Sequence, residues 1–360
     1  MKPEANRTLI AMSGGVDSAV AALLAKERGD ECVGVTMKLF ENEDVGEDSG
    51  RSCCSLSDAE DARRVAQLLG IPFYIFDFTA EFRDQVIGRF VSAYMEGRTP
   101  NPCIDCNRFI KFRRLFERME AMDFDYVATG HYARISRDGA GGRRLLLKAA
   151  DGAKDQSYVL YAMTQKQLAH TFFPLGGMTK GETRKIAEQR GFVNARKKDS
   201  QDICFVRGGN YGDFIENYTG MAFPSGDFTD REGNILGHHQ GVIRYTIGQR
   251  KGLGKAMGRP MYVTEIEPEE RRVTLGSRED LYETRARAGD INLIACERLD
   301  RPARVTAKIR YGQPAMPATA VQEGEDSLMV EFDSAQRAIT KGQALVLYDG
   351  DVVIGGGTIA

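Results

Sequence analysis

The residues of this chain whose types and spacing can do chemistry are Ser13-Gly14-Gly15-Val16-Asp17-Ser18, near the N-terminus, and three cysteines, Cys103, Cys106 and Cys204. The six-residue stretch follows a short apolar run and opens an alanine-rich segment of helical character. Two glycines let the backbone turn with its amides pointing inward, two serines add hydroxyl donors, and the helix start contributes free N–H groups and a positive dipole end. This is the composition of a loop that holds phosphate, with Asp17 in reach of a magnesium ion beside it. The pattern G-x-x-x-x-G-K-[ST] occurs nowhere in the chain, so the loop is not the ordinary kinase or GTPase loop. The competing reading is a Gly-Gly turn whose Asp and Ser merely cap a helix.

The cysteines suggest a second chemistry. Two prolines in Thr99-Pro100-Asn101-Pro102 fix an extended approach to Cys103-Ile104-Asp105-Cys106-Asn107, placing the thiols at or just before a helix start. A helix N-terminus and nearby bases, here Arg108 and Lys111, favour the reactive thiolate. Cys204 follows Arg196-Lys197-Lys198 closely, within Asp199-Ser200-Gln201-Asp202-Ile203-Cys204-Phe205. A C-x-x-C pair also suits zinc, although there is no second pair and no H-x-x-x-H to complete four ligands. Cys103, Cys106 and Cys204 together could instead ligate an iron-sulfur cluster. Cys32 and Cys296 read as small buried apolar residues, and Cys53 and Cys54 receive no assignment.

These groups need elements to position them. Runs at Thr8 to Met12, Cys32 to Leu39, Phe73 to Phe76 and Tyr126 to Ala128 read as strands. Ser18 to Arg28, Asp58 to Leu69, Glu81 to Met95 and Lys111 to Met122 read as helices. Such alternation predicts an α/β domain with a parallel sheet. Ligands of such sheets sit beyond the carboxyl ends of the strands, where the Ser13 to Ser18 loop, the Glu41 to Ser57 loop and Thr129-Gly130-His131 fall. Helices are expected to dominate Thr164 to Lys197, and a Gly, Pro and Asp-rich stretch from Gly208 to Gly237 loosens the pattern, with a boundary near 205 to 210. Beyond it, short strands at Met261 to Ile266, Arg272 to Leu275, Arg304 to Ile309, Leu328 to Phe332, Ala344 to Tyr348 and Val352 to Ile359 predict one or two small β-rich domains, including a barrel.

A chain of 360 residues, 42% hydrophobic, can bury two or three cores. No apolar run approaches the roughly 20 residues of a membrane span, and Met1 to Asn6 lacks the order of a secretory signal, which makes the cytoplasm the expected compartment. Seven irregularly placed cysteines are not a disulfide framework. The net charge of -2 argues against indiscriminate binding of nucleic acid but hides local concentration. Lys180 to Lys198 carries seven bases against Glu182 and Glu188, Arg244 to Arg259 five bases and no acid, and Arg108 to Phe116 interleaves bases with aromatics. Each run alone could be a solvated face; the three together point to a polyanion partner.

The loop is similar to the pyrophosphatase loop of enzymes that split ATP between its α and β phosphates. With Thr99 to Asn107, Ala128-Thr129-Gly130-His131-Tyr132-Ala133-Arg134, Lys154-Asp155-Gln156-Ser157-Tyr158 and Ser200 to Phe205, it closely resembles the bacterial tRNA-specific 2-thiouridylase family. Gly237 to Gly241, Tyr245 to Arg250, Arg310-Tyr311-Gly312 and Gly342-Gln343-Ala344 extend the resemblance nearly end to end. The resemblance implies an adenine-nucleotide-hydrolase-like, ATP-pyrophosphatase catalytic domain over 1–207, a small central domain over 208–283 and a tRNA-contacting β-barrel over 284–360.

It further implies replacement of the C2 oxygen of the anticodon wobble uridine by sulfur. Ala11, Met12, Ser13, Gly14, Gly15, Val16, Asp17, Ser18, Met37 and Gly130 would then contact ATP, which enters with Mg²⁺ as a substrate, and no permanently bound metal is expected. Cys106 falls on the family's nucleophile and Cys204 on its persulfide carrier. Asn101, Pro102 and Cys103 would face the target base, while His131, Lys154, Asp155, Gln156, Arg310, Tyr311 and Gln343 match tRNA-contacting positions. Some members carry an aspartate, regarded as a candidate general acid/base, where this chain has Cys103, which leaves that role open; Asp105 is a neighbour. Implied partners are a tRNA with a wobble uridine and a sulfur donor, either a cysteine desulfurase or a small relay protein, with the enzyme a monomer. A small-molecule adenylating ligase, a cluster-dependent thiolase and a non-enzymatic RNA-binding protein are the competing readings.

Overall fold

The computed structural model describes residues 5–41, 56–137, 140–197, 203–206, 208, 210–254 and 258–360. Cys53, Cys54, Lys198 to Asp202 and most of the Glu41 to Ser57 loop lie outside the described residues. The first sheet is parallel throughout, its five strands ordered Phe73–Asp77, Glu31–Lys38, Arg7–Ala11, Tyr126–Thr129, Thr171–Phe172. The chain winds outward one way from Arg7–Ala11 and then returns to its other side, so the switch point lies between Arg7–Ala11 and Tyr126–Thr129. Near-continuous burial of Leu9, Ile10, Val127 and Ala128 fits strands covered by helices on both faces.

Two long helices on this domain are wider than α in the middle. Residues 79–95 run through Thr79–Phe82, Arg83–Gly88 and Arg89–Met95, the middle segment hydrogen-bonded i to i+5. Residues 102–121 repeat the device, with Cys106–Arg114 as the wide segment; such segments recur at functional sites.

The Gly208 to Gly237 stretch is more ordered than its composition predicts. Asn210 caps the helix Tyr211–Thr219 and Gly220 ends it in the left-handed conformation. The strands Gly226–Thr229 and Ile235–His239 then join Tyr262–Glu267 and Arg272–Gly276 in a four-stranded sheet.

The C-terminal barrel closes through six antiparallel pairings, in the order Tyr282–Leu293, Ser327–Arg337, Met316–Gln322, Ala303–Lys308, Ala344–Asp349, Val352–Ile359 and back to the first. Closure leaves no strand edge within the ring. A hairpin of the N-terminal part, Arg134–Ser136 with Leu145–Leu147, attaches to it through Val352 and Leu147.

Candidate active site

The phosphate-type loop stands at the switch point. Gly15 is the N-cap of the helix Val16–Glu27, and no side chain caps it, leaving the first amides for a ligand. Gly14 has φ of 74°, and a Cβ there would lie 2.2 Å from the Asp58 carbonyl oxygen, so only glycine fits. Ser18 is buried: its hydroxyl accepts from the Ser13 amide at 3.1 Å and donates to the Gly15 carbonyl at 3.0 Å. It therefore ties the loop together instead of presenting a donor outward. Gly130 ends the neighbouring strand so tightly against the loop that a Cβ would come within 2.7 Å of the Ser18 amide nitrogen. Ala11 and Met12 lie buried beneath, where the Thr36 hydroxyl donates to the Met12 carbonyl at 2.6 Å, and Met37 is partly buried on the adjacent strand.

Asp17 meets partners the sequence did not reveal. Lys180 Nζ lies 2.8 and 2.7 Å from its two carboxylate oxygens, and the Tyr132 hydroxyl lies 2.8 Å from Oδ1 and 3.0 Å from Thr183 Oγ1. Asn194 Nδ2 donates to the Gly14 carbonyl at 3.0 Å, and Lys197 bridges Asp58 and Asp61. Cations absent from the loop's own sequence thus arrive from the segment after residue 179. A signal existed, because Thr179 and Glu182 form a capping box that starts a helix at Lys180.

At the C-x-x-C motif, Asn101 caps the helix by accepting from the Cys103 amide at 3.2 Å, and Pro102 occupies the first turn. Cys103 is exposed and Cys106 buried. Three positions apart on a helix they share a face, whereas Asp105, two positions on, points elsewhere. Burial pushes the Asp105 carboxyl up to about 6 against the opposing pull of Arg89, 3.5 Å away, and of Arg108. Arg108 itself is held in a two-point pair with Asp290 of the barrel.

Cys204 packs against the same hydrophobic core that contains Cys106. Its neighbour Phe205 is 1% exposed and meets Phe90 edge-on at 5.2 Å. Among the described residues no three metal-ligating side chains gather to hold an ion.

Of the remaining predicted positions, Lys154 to Gln156, Tyr311 and Gln343 form a rim where the first domain meets the barrel, whereas Arg310 and His131 lie elsewhere. Gln343 Nε2 donates to the carbonyls of Thr99 at 2.8 Å and Pro100 at 3.3 Å. Arg310 reaches the Ile247 and Ala338 carbonyls, both at 3.2 Å, and so joins central domain to barrel. Tyr311 is exposed, with Asp155 and Cys103 close enough to raise its hydroxyl's pKa beyond the effect of burial. Asp155 accepts from the Ala149 and Ser157 amides and the Ser157 hydroxyl, Gln156 exchanges hydrogen bonds with the Tyr132 backbone, and Lys154 is half-buried in the same turn. His131 is only 8% exposed, packed between Phe112 and Phe173 with Thr129 Oγ1 2.8 Å from Nδ1. Burial, aided by Lys111, holds its imidazole well below the ordinary range.

Several cations of the basic runs have acidic partners within the chain: Arg108 with Asp290, Arg114 with Glu81 and Glu117, Arg190 with Glu27, Lys197 with Asp58 and Asp61, and Arg244 with Asp213 and Glu216. Part of the positive charge in the runs thus serves as internal clamps.

Fold and site define a three-part protein: a parallel-sheet α/β domain carrying a phosphate-type loop and the three cysteines, a small β domain and a closed barrel. Family models match in the same order, a tRNA methyl transferase HUP domain over 6–208, a tRNA methyl transferase PRC-barrel domain over 212–277 and an aminomethyltransferase beta-barrel domain over 283–359. The chain is 50% identical over 353 residues to the tRNA-specific 2-thiouridylase MnmA of Clostridioides difficile strain 630, covering 98% of each. It is 49% identical to that of Lachnoclostridium phytofermentans, covering 98% of this chain and 99% of the relative. The chain belongs to the tRNA-specific 2-thiouridylase family. The models' descriptions mention methyl transfer, whereas these full-length relatives are named for thiolation. A solved 4-thiouridine synthetase–RNA complex with bound ATP overlaps 59% of this chain and 50% of its own at 16% identity, with a TM-score of 0.37, too little to carry any argument.

Proposed function

We propose that this chain catalyses ATP-dependent 2-thiolation of the wobble uridine in tRNA, giving 2-thiouridine, AMP and pyrophosphate. The observation that carries the reading is the combination, within a family match over 98% of the chain, of a phosphate-type loop at the sheet's switch point and two thiols that pack on one core. A uridine C2 carbonyl has no leaving group, so its oxygen is first joined to the α-phosphorus of ATP with loss of pyrophosphate. The Gly14-Gly15 turn and the uncapped amides after it hold the phosphates as that charge develops. Asp17 is the loop carboxylate that would hold Mg²⁺ arriving with nucleotide phosphates, and the ion would neutralise phosphate charge.

Cys204 carries a terminal sulfur as a persulfide. That sulfur attacks C2 and AMP departs. The Cys106 thiolate then attacks Cys204 Sγ, the persulfide S–S bond breaks, its electron pair stays on the transferred sulfur, and a Cys106–Cys204 disulfide remains for an external thiol to reduce. Asn101 to Cys103 face the base, which must leave its stack at a cost of a few kcal/mol. The rim of Lys154 to Gln156, Tyr311 and Gln343, together with Arg310, grips the RNA. We place domain divisions after residues 207 and 283, the enzyme in the cytoplasm as a monomer, and a cysteine desulfurase or small relay protein as the sulfur source. Among the described residues no helix is long and apolar enough to cross a membrane.

The test is a mercury-gel shift of unmodified tRNA incubated with the protein, Mg-ATP, a persulfide or sulfide source and reductant. Retardation that needs ATP and vanishes in Cys106→Ser and Cys204→Ser supports the reading. AMP formation without tRNA, and no shift, would favour a small-molecule ligase.

A further inference from the structure

Lys308 ends the barrel strand Ala303–Lys308, where its backbone pairs with Val346. Its Nζ lies 5.7 Å from the Tyr158 ring centroid and 5.8 Å from that of Tyr311, the two rings being 6.0 Å apart and tilted by 58°. Tyr158 is fully buried and anchored, its hydroxyl donating to the Ala344 carbonyl at 2.8 Å. Tyr311 is 43% exposed. The ammonium is thus held between an inner and an outer aromatic face, partly out of water.

Aromatic faces attract a cation but accept no strong hydrogen bond, and an ammonium has three donors to satisfy. Among the described residues no oxygen lies within hydrogen-bonding distance of Lys308 Nζ. The carboxylate that acts on it is Asp155, whose oxygens already accept from the Ala149 and Ser157 amides and the Ser157 hydroxyl. Burial and the Lys148 ammonium both disfavour the charge on Lys308, and Asp155 opposes them only in part. Lys308 is only half-buried, so in the free protein its donors turn to water, and a charged acceptor that replaces that water gains a stronger bond. The neighbours of Lys308 place it close to the cysteine helix: Tyr158 is anchored on Ala344, and the adjacent Gln343 holds the Thr99 and Pro100 carbonyls that lead into Cys103.

We propose that Lys308 is a substrate-binding residue that seats a backbone phosphate of the RNA beside the nucleotide facing Cys103. A phosphate oxygen supplies a charge-assisted acceptor in place of water, and it is the group through which proteins set register on a nucleic acid. Tyr311 covers the outer side of the ammonium, so the phosphate enters between the Tyr311 ring and the Cys103 helix start. This inference rests on the proposed action on tRNA and adds to it a residue that the sequence motifs did not mark.

The experiment is equilibrium filter binding of unmodified tRNA, without ATP, across a series of salt concentrations, for the wild type, Lys308→Met and Lys308→Arg. One lost phosphate contact reduces the slope of log affinity against log salt by about 0.7 to 1. Lys308→Met is expected to weaken binding roughly tenfold at low salt with that reduction in slope, and Lys308→Arg to keep both near wild type. Thermal melting of each variant confirms the fold. Wild-type affinity and slope in Lys308→Met overturn the proposal, and so does weaker binding with an unchanged slope, since the lysine would then act only by packing the tyrosines. A wild-type protein that binds no tRNA overturns the proposed function and this inference together, whereas a wild type that thiolates tRNA beside an unaffected Lys308→Met overturns this inference alone.

Discussion

Lys180 and Asp17, 163 positions apart in sequence, form a two-point ion pair at the mouth of the phosphate-type loop, and Lys180 is only 12% exposed there. A cation that the loop's own sequence lacks is thereby delivered by a separate helix start. Lys180→Met is expected to weaken ATP and pyrophosphate binding about 10- to 100-fold, the scale of one charge-assisted hydrogen bond lost from a partly buried site. Lys180→Arg should recover part of it. Isothermal titration decides the matter, and unchanged affinity for both ligands would remove Lys180 from the site.

Gly130 is the second point at which the loop depends on close backbone approach. A methyl group there would meet the Ser18 amide and the Asp17 carbonyl carbon at 2.7 and 2.8 Å, and neither is a flexible side-chain end. Gly130→Ala should cost about 1 to 3 kcal/mol of stability and displace the loop, with ATP affinity falling at least tenfold. Gly177→Ala, where a Cβ meets nothing within 4 Å, is the control expected to leave both intact. Equal behaviour of the two variants in denaturant unfolding and nucleotide titration would refute the steric account.

These two relationships show where sequence reading succeeds and where it stops. The loop and its strand–helix setting were legible because glycines, serines and an alanine-rich helix lie side by side in the chain. Lys180, Tyr132 and Asn194 were not legible as loop partners, since their contacts arise only when distant segments fold together. The barrel strands Tyr282–Leu293 and Met316–Gln322 escaped notice for a different reason. Their inward residues, Ala286, Ala288, Ala318 and Ala320, are small because a narrow barrel has little room, so the usual β-branched signal is absent. Conversely, His131 stood out in a motif, yet its ring packs inside, against Phe112 and Phe173.

Asp105 and His131 should give opposite dependences of stability on pH. Asp105 binds its proton up to about pH 6 in the fold but only to about 3.9 when unfolded, so its stabilising effect is complete below about 3.9 and is lost as pH rises to about 6. Asp105→Asn should therefore gain stability over the wild type by up to about 3 kcal/mol at pH 7 and much less at pH 4. Denaturant unfolding at both pH values reads the difference, and a gain that ignores pH would contradict it. His131 stays neutral in the fold, so its contribution is present above about 6.5 and falls as pH drops below that value. His131→Gln should flatten the acid side of the wild-type curve.

The contact between barrel and cysteine helix lends itself to a direct substitution. Gln343→Leu removes the donor to Thr99 and Pro100 while keeping side-chain volume. Under the proposed function it should reduce kcat several-fold with little change in ATP affinity, because the approach to Cys103 loses its brace. A change confined to the KM for ATP would place Gln343 elsewhere in the reaction.

Backbone links stitch the first domain to the barrel, among them Thr99 N–H to the Lys341 carbonyl, Lys148 N–H to the Asp351 carbonyl and the Leu147–Val352 pairing, and the Gln343 side-chain amide adds bonds to the Thr99 and Pro100 carbonyls. They make the molecule a gauge. If RNA is gripped at the barrel rim, the span from that grip to Cys103 is fixed by main-chain geometry instead of by a flexible tether, and a nucleotide offered one position too early or too late would stop short of the thiols or overshoot them. Selection of a single position in an RNA loop would then need no base to be read at all.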